Sequence, residues 1–257
     1  FAGLRGSDGR GDEVWVENGR HLQNLSYEVS GFGYGTDGAN EWKSAFPVTC
    51  AKVMEDIDWL EPVYNGRSYD EVCTARQDFS TSEQIHFYPI SNHKTDLQTF
   101  MGNNHRIKGI HVSRGALVSY YTGFPDGYAG MFGFMEGRPF GEGKDDRESN
   151  IIRDVMLVNP HVEAAVPSGS IWGNSYAGSL AGYIDKMEII NCGAYVDGEK
   201  NEDLSALYER TGVVTDFDYA GGLIGKSQDL TAANSFASVK TAAGQTAGGF
   251  IGALSGR

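Results

Sequence analysis

Six histidines, three cysteines and a surplus of carboxylates are the residues of this chain that could do chemistry, and their spacing decides whether they do. His21, His86, His93, His105, His111 and His161 never form the HExxH pair with which a zinc peptidase holds its metal and activates water. Cys50, Cys73 and Cys192 are odd in number and unrelated in spacing, so neither a disulfide framework nor a metal cluster is suggested. A single Cys50–Cys73 bridge stays open, because geometry decides it. Asp56 and Asp58 share a face if the chain there is extended, the nearest thing to the carboxylate pair of a glycosidase, but one such pair in an acidic protein is thin grounds for catalysis. No GxSxG elbow and no GxxxxGK[ST] loop occurs, so a serine hydrolase and nucleotide binding are not indicated. Arg10-Gly11-Asp12 has the form of an integrin-binding tripeptide, and Lys144 to Glu148 that of a charged calcium-site loop. A chance tripeptide and a solvated mixed-sign loop are the simpler readings. The expectation is a chain with no catalytic residue, no metal and no cofactor.

The elements that would position any site are legible from internal repeats. AGMFG from Ala129, AGSLAG from Ala177, AGGLIG from Ala220 and AGGFIG from Ala247 are variants of one string. A second motif alternates with it: IKGIHV from Ile107, IRDVMLVNPHV from Ile152, IINCGAYV from Ile189 and AANSFASV from Ala232. In register, Ile107, Ile152, Ile189 and Ala232 form one column, Ile110, Val155, Cys192 and Ser235 a second, and Val112, Leu157, Ala194 and Ala237 a third. On the first column the repeat length is 45, then 37, then 43 residues. The second and third columns lie two residues apart, the period of a strand with one face buried, and no helical stripe recurs. Strands are expected near 107–112, 129–133, 152–158, 177–181, 189–196, 220–224, 232–239 and 247–251. Asp154, Asn191 and Asn234 precede the second column and suit corners, where Asn and Asp tolerate a left-handed backbone. Cys192, in an apolar column, reads as a small buried side chain.

Composition agrees. With 40% hydrophobic residues and 12% aromatics the chain of 257 residues can bury a core, and its 35 glycines, without a triplet period, point to many tight turns. A formal charge of −13 argues against sequence-independent binding of nucleic acid or an anionic membrane, since both need clustered Lys and Arg. No apolar run of about 18 residues is present, so membrane insertion is not expected.

The strings AGGLIG and AGGFIG, with NSFASV and IINCGAYV between them, resemble the GLUG-motif repeats of bacterial cell-surface proteins. VENGRHLQNLS at 16–26, EDIDW at 55–59, FYPIS at 87–91 and LQTFMGNNHRIKGIHV at 97–112 resemble the region that leads into such repeats in adhesin-like proteins. The resemblance implies an all-β fold, a right-handed parallel β-helix or solenoid, with residues 1–100 forming an irregular N-terminal cap and the first coils, and 101–257 the repeat coils, truncated at the C-terminus. It implies a piece of a longer wall-tethered chain at the extracellular bacterial cell surface. The implied function is non-catalytic binding of a host protein or glycan, immunoglobulins included. The alternatives are a structural spacer, or a non-catalytic flank of an IgA-peptidase-like enzyme, beside whose catalytic part such repeats also occur.

The connections after the second motif vary from 7 residues (240–246) through 14 (163–176) and 16 (113–128) to 23 (197–219). Equivalent connections in a stacked coil emerge on one side, which would gather Tyr120, Tyr121, Phe124, Trp172, Tyr176 and Tyr208 into one ridge. Such a ridge could bind sugar or protein, or the same rings could pack inward and roof the coil.

Overall fold

The computed structural model describes residues 13–29, 48–64, 66–69, 71, 86–90, 97–112, 118–119, 126–137, 150–164, 174–198, 211–215 and 218–256. The described chain is all-β, dominated by five mainly parallel sheets. The first sheet has six strands, Glu13–Val16, Cys50–Val53, Thr99–Met101, Ile151–Arg153, Glu188–Ile190 and Thr231–Ala233, paired in that order. The second runs Ile57–Asp58, Arg106–Lys108, Met156–Val158, Gly193–Tyr195 and Phe236–Ser238. The third holds His111–Val112, His161–Ala164, Gly212–Thr215 and Thr241–Ala243. The fourth holds Val118–Ser119, Asp126–Ala129, Ser175–Gly178, Tyr219–Gly221 and Thr246–Gly248, and the fifth Phe132–Glu136, Ala181–Asp185, Ile224–Gln228 and Ile251–Ser255. Within the fourth, Val118–Ser119 pairs antiparallel. From Ile151 onward the chain visits the five sheets in the same order three times over.

Short strands follow from the corners. Asp154, Asn191 and Asn234 have φ of 57°, 53° and 50°, and each ends a strand of the first sheet one or two residues before the second begins. A left-handed residue turns the chain out of the pleat, and Asn and Asp bear that conformation better than other side chains. So the expected strand 152–158 is two strands, Ile151–Arg153 and Met156–Val158, broken at Asp154. At the corner between the fourth and fifth sheets the backbones approach more closely. A Cβ on Gly178 would run into the carbonyl oxygens of Ala181 and Leu223, which is why the AG string repeats there.

Between corners, one face of each strand points inward. Ile152, Ile189 and Ala232 are register partners, as are Leu157, Ala194 and Ala237, and Ala129, Ala177, Ala220 and Ala247. Ile152, Leu157, Ile189, Cys192 and Ala194 are buried in one continuous core with Val155, Val162 and Val213.

The first unit departs from the expected register. Ile107 pairs with Leu157 and Ile57, Phe100 takes the place beside Ile152, and Val112 pairs with Val162. The cause is a two-residue insertion: seven residues separate Phe100 from Ile107 where five separate Ile152 from Leu157, and Asn103 and Asn104 absorb the excess at φ of 52° and 62°. The third sheet is a second departure. GVVT and the second half of HVEA lie in segments expected to be connections, although they bury Ala164, Val213 and Thr215, and HVEA alternates as a half-buried strand does. The single residue missing from the first AG string is confirmed, since Ala129 pairs with Ala177 but Phe132 with Ala181.

Residues 13–29 precede the repeats as a strand and an α-helix, Gly19–Val29. Asn18 caps it: its Oδ1 accepts the His21 N–H at 3.0 Å, and His21 Nδ1 accepts the Glu17 N–H at 3.3 Å. Leu22 and Leu25 on that helix are fully buried in the main core. Among the described residues no helix is long and apolar enough to cross a membrane.

Candidate functional site

Of the six aromatics expected to form a ridge, Tyr120, Tyr121, Phe124, Trp172 and Tyr208 lie outside the described residues. Tyr176 is described, within the strand Ser175–Gly178, and is 4% exposed. The flanking strands also assign these residues to different connections. Trp172 falls between the third and fourth sheets, Tyr208 between the second and third, and Tyr120, Tyr121 and Phe124 between two strands of the fourth. The premise of one equivalent connection therefore does not hold along the chain.

Tyr176 belongs to an aromatic ladder. Tyr128, Tyr176 and Tyr219 are register partners stacked at 5.6 and 5.5 Å between ring centroids, tilted by only 13° and 9°. Beside them Phe134 stacks on Tyr183 at 5.0 Å. Lys226, the next member of that second column, places Nζ 5.0 Å from the Tyr176 ring and 5.5 Å from the Tyr183 ring. The sequence signal was the Tyr before each of three AG strings, YAG at 128, 176 and 219. With Tyr128, Phe134 and Tyr176 buried, this cluster ties the fourth and fifth sheets together.

The buried polar groups of Ser175, Thr215 and Asp218 are also committed internally. The Ser175 N–H donates to Asp218 Oδ2 at 2.8 Å, Ser175 Oγ lies 2.5 Å from Thr215 Oγ1, and Gln245 Nε2 donates to Asp218 Oδ1. Among the described residues this hydroxyl is partnered by Thr215 and the Asp218 carboxylate, with no imidazole in hydrogen-bond contact. Burial pushes the Cys192 thiol up to about 12 and, with the Glu13 charge, the Cys50 thiol up to about 11, so neither is an activated thiolate. Cys50 is a free thiol, and Cys73 lies outside the described residues. Arg10 to Asp12 and Lys144 to Glu148 lie outside them too. Among the described residues no group of three or more His, Cys, Asp or Glu is placed to hold a metal ion.

An open feature among the described residues is a groove on the outer face of the second sheet, about 410 Å³, lined by Asp56, Asp58, Glu61, Arg106, Lys108 and Asp197 over a floor that includes Val158. Four consecutive strands build it, because Asp58 is the register partner of Lys108, Lys108 of Val158, and Val158 of Tyr195, two residues before Asp197. Asp56 Oδ1 accepts the Arg106 N–H at 3.0 Å and lies 3.1 Å from His105 Nδ1. The Arg106 amide, opposed in part by burial and helped by His105, holds the Asp56 carboxyl below the usual carboxylate range. Asp58 Oδ1 accepts the Leu60 N–H at 2.9 Å, and its Oδ2 lies 3.4 Å from Lys108 Nζ. Asp56 and Asp58, singled out by their spacing, are thus turn-capping acceptors at the rim. The other lining residues escaped sequence reasoning because only the register brings them together.

One step along the same face, Phe236 pairs with Gly193 and is 44% exposed. Its ring lies over Gly193, where an added Cβ would sit 2.5 Å from Phe236 Cε1, and 6.2 Å from the Tyr195 ring. Gly193 leaves the space in which this ring lies flat against the sheet.

No protein-family model and no curated protein matches the chain. Among solved structures, the chain is similar to a candidate immunoglobulin A1 protease from Bacteroides ovatus, at 15% identity and a TM-score of 0.41, with 95% of this chain and 74% of that one covered.

Proposed function

We propose that the chain is a non-catalytic binding module of an extracellular bacterial surface protein, a right-handed parallel β-helix that recognises a host glycan or secreted host glycoprotein. The cyclic order of the five sheets supports the helical reading, since a chain that returns to each sheet one strand further along advances by one coil per pass. The AG repeats and their likeness to GLUG-type strings support the surface assignment, and the charge of −13 opposes nucleic acid or an anionic membrane as partner.

One observation carries the binding reading: the groove is open and polar on register-paired strands, and Asp56 at its rim is engaged by the Arg106 amide and His105. A general acid needs a carboxyl whose proton is retained near neutral pH, and Asp56 is held in the opposite direction. Incubating the protein with arrayed host glycans and secreted glycoproteins, immunoglobulins among them, should give saturable binding with every ligand recovered intact. Cleavage of a bound ligand would overturn the non-catalytic reading, and absence of binding would favour a spacer. The spacer has its own support in Tyr176, whose ring is spent on the ladder between sheets.

A further inference from the structure

We propose that the groove on the second sheet, with the Phe236 and Tyr195 rings beside it, is a subsite for an uncharged linear oligosaccharide. This rests on the binding-module reading and gives it a place and a ligand class. Adjacent strands lie about 4.8 Å apart, so the groove, which crosses three strands to Asp197 and Gly198 just past the end of a fourth, has a run of roughly 14 Å, and Phe236 lies one strand beyond. That is the proportion of a short pyranose chain lying across the strands.

The polar lining fits hydroxyls better than charge. Asp58 is held by Lys108, and Asp56 by the Arg106 amide and His105. Among the described residues, no ion pair or side-chain hydrogen bond occupies the Arg106 guanidinium or the Glu61 and Asp197 carboxylates, and all three are exposed at the groove. A guanidinium only donates and a carboxylate only accepts, whereas a sugar hydroxyl does both, so a diol can satisfy the two kinds of group at once. An anionic ligand would meet four carboxylates on a chain of net charge −13, and the free-amine oligomers of the test below stand for the cationic alternative. The Phe236 ring, on the edge strand of the sheet and 6.2 Å from the Tyr195 ring, is a flat apolar surface of the kind against which the C–H face of a pyranose packs.

The test is calorimetric titration of the protein with short uncharged oligomers of glucose, galactose, mannose and N-acetylhexosamine, alongside sialylated, sulfated and free-amine oligomers. The expectation is saturable binding of at least one uncharged oligomer, weakened roughly fivefold to tenfold by Phe236→Ala and by Arg106→Ala, on the scale of one lost aromatic or charged contact. Both side chains are exposed, so thermal melting should not move. Gly193→Ala, whose Cβ would displace the Phe236 ring, should weaken binding with both groove residues intact. Uncharged binding indifferent to all three variants would overturn the assignment of the groove while leaving a binding module. Preference for a charged oligomer would overturn the ligand class. If no oligosaccharide binds but a glycoprotein's polypeptide does, the inference fails and the module reading stands; if neither binds, both fail.

Discussion

Asp154, Asn191 and Asn234 hold backbone angles that cost most residues about 1–2 kcal/mol each, and the sequence marks them because few residue types bear that geometry cheaply. Asn191 also bonds upward through its unit: Nδ2 donates to Asp154 Oδ1 at 2.8 Å and to Asn104 Oδ1 at 3.1 Å. Asn191→Ala should lower unfolding free energy by about 1–3 kcal/mol, combining backbone strain with lost hydrogen bonds. Asn191→Gly should cost less, since glycine keeps the backbone angle, and urea unfolding separates the two. Equal losses would mean that the angle contributes nothing. Acid should find the same corner. Burial disfavours the charged form of Asp154, but the Asn191 amide and Arg153 outweigh it and hold the carboxyl below its ordinary value. A folded-state value below the unfolded one means the contribution is fully present above about pH 5 and is lost as pH falls through the folded-state value. Chemical denaturation repeated from pH 7 down to pH 3 should therefore show a decline confined to the acid side, and Asp154→Asn should shrink it.

Strands and their columns were legible where small apolar residues recur at fixed offsets, and misread where the offset changes. The pattern Ile-x-x-Ile placed Ile107 beside Ile152, but an alternating strand accepts more than one such alignment, and Asn103 and Asn104 resolve it in favour of Phe100. The third sheet was hidden for a related reason: its short strands follow the second sheet after two residues in three units, but the long connection before Gly212 breaks that offset in the other. Where the column is secure, the consequence is sharp. Ile152 is fully buried between Phe100 and Ile189, so Ile152→Asp places an unpaired carboxylate among apolar side chains and should destabilise by several kcal/mol. A melting curve that stays in place would refute this column.

At the scale of the molecule, the groove exists only because residues about fifty apart in sequence become neighbours: Asp58 beside Lys108, Lys108 beside Val158. Composition pointed to the turn-rich all-β character, and the repeats to the stacked columns, although the AG strings expected as strands at 129–133, 177–181, 220–224 and 247–251 are corners between strands of the fourth and fifth sheets. The site was not legible, because Arg106 and Phe236 lie at polar or variable positions of the repeat strings and Asp197 follows one, so they acquire meaning as a site from register alone. Shape is a poor test of that register, since six strands at about 4.8 Å spacing make a stack only about 24 Å tall, no rod. Cross-linking tests it directly. Arg153 and Ile190 are register partners on neighbouring parallel strands of the first sheet, at a separation that admits a disulfide, whereas Arg153 and Glu188 are offset by two residues. After mild oxidation, Arg153→Cys with Ile190→Cys should give a 153–190 disulfide by peptide mapping, and Arg153→Cys with Glu188→Cys should not. Efficient bridging of 153 to 188 but not to 190 would contradict the stacking from which the fold and its groove are built.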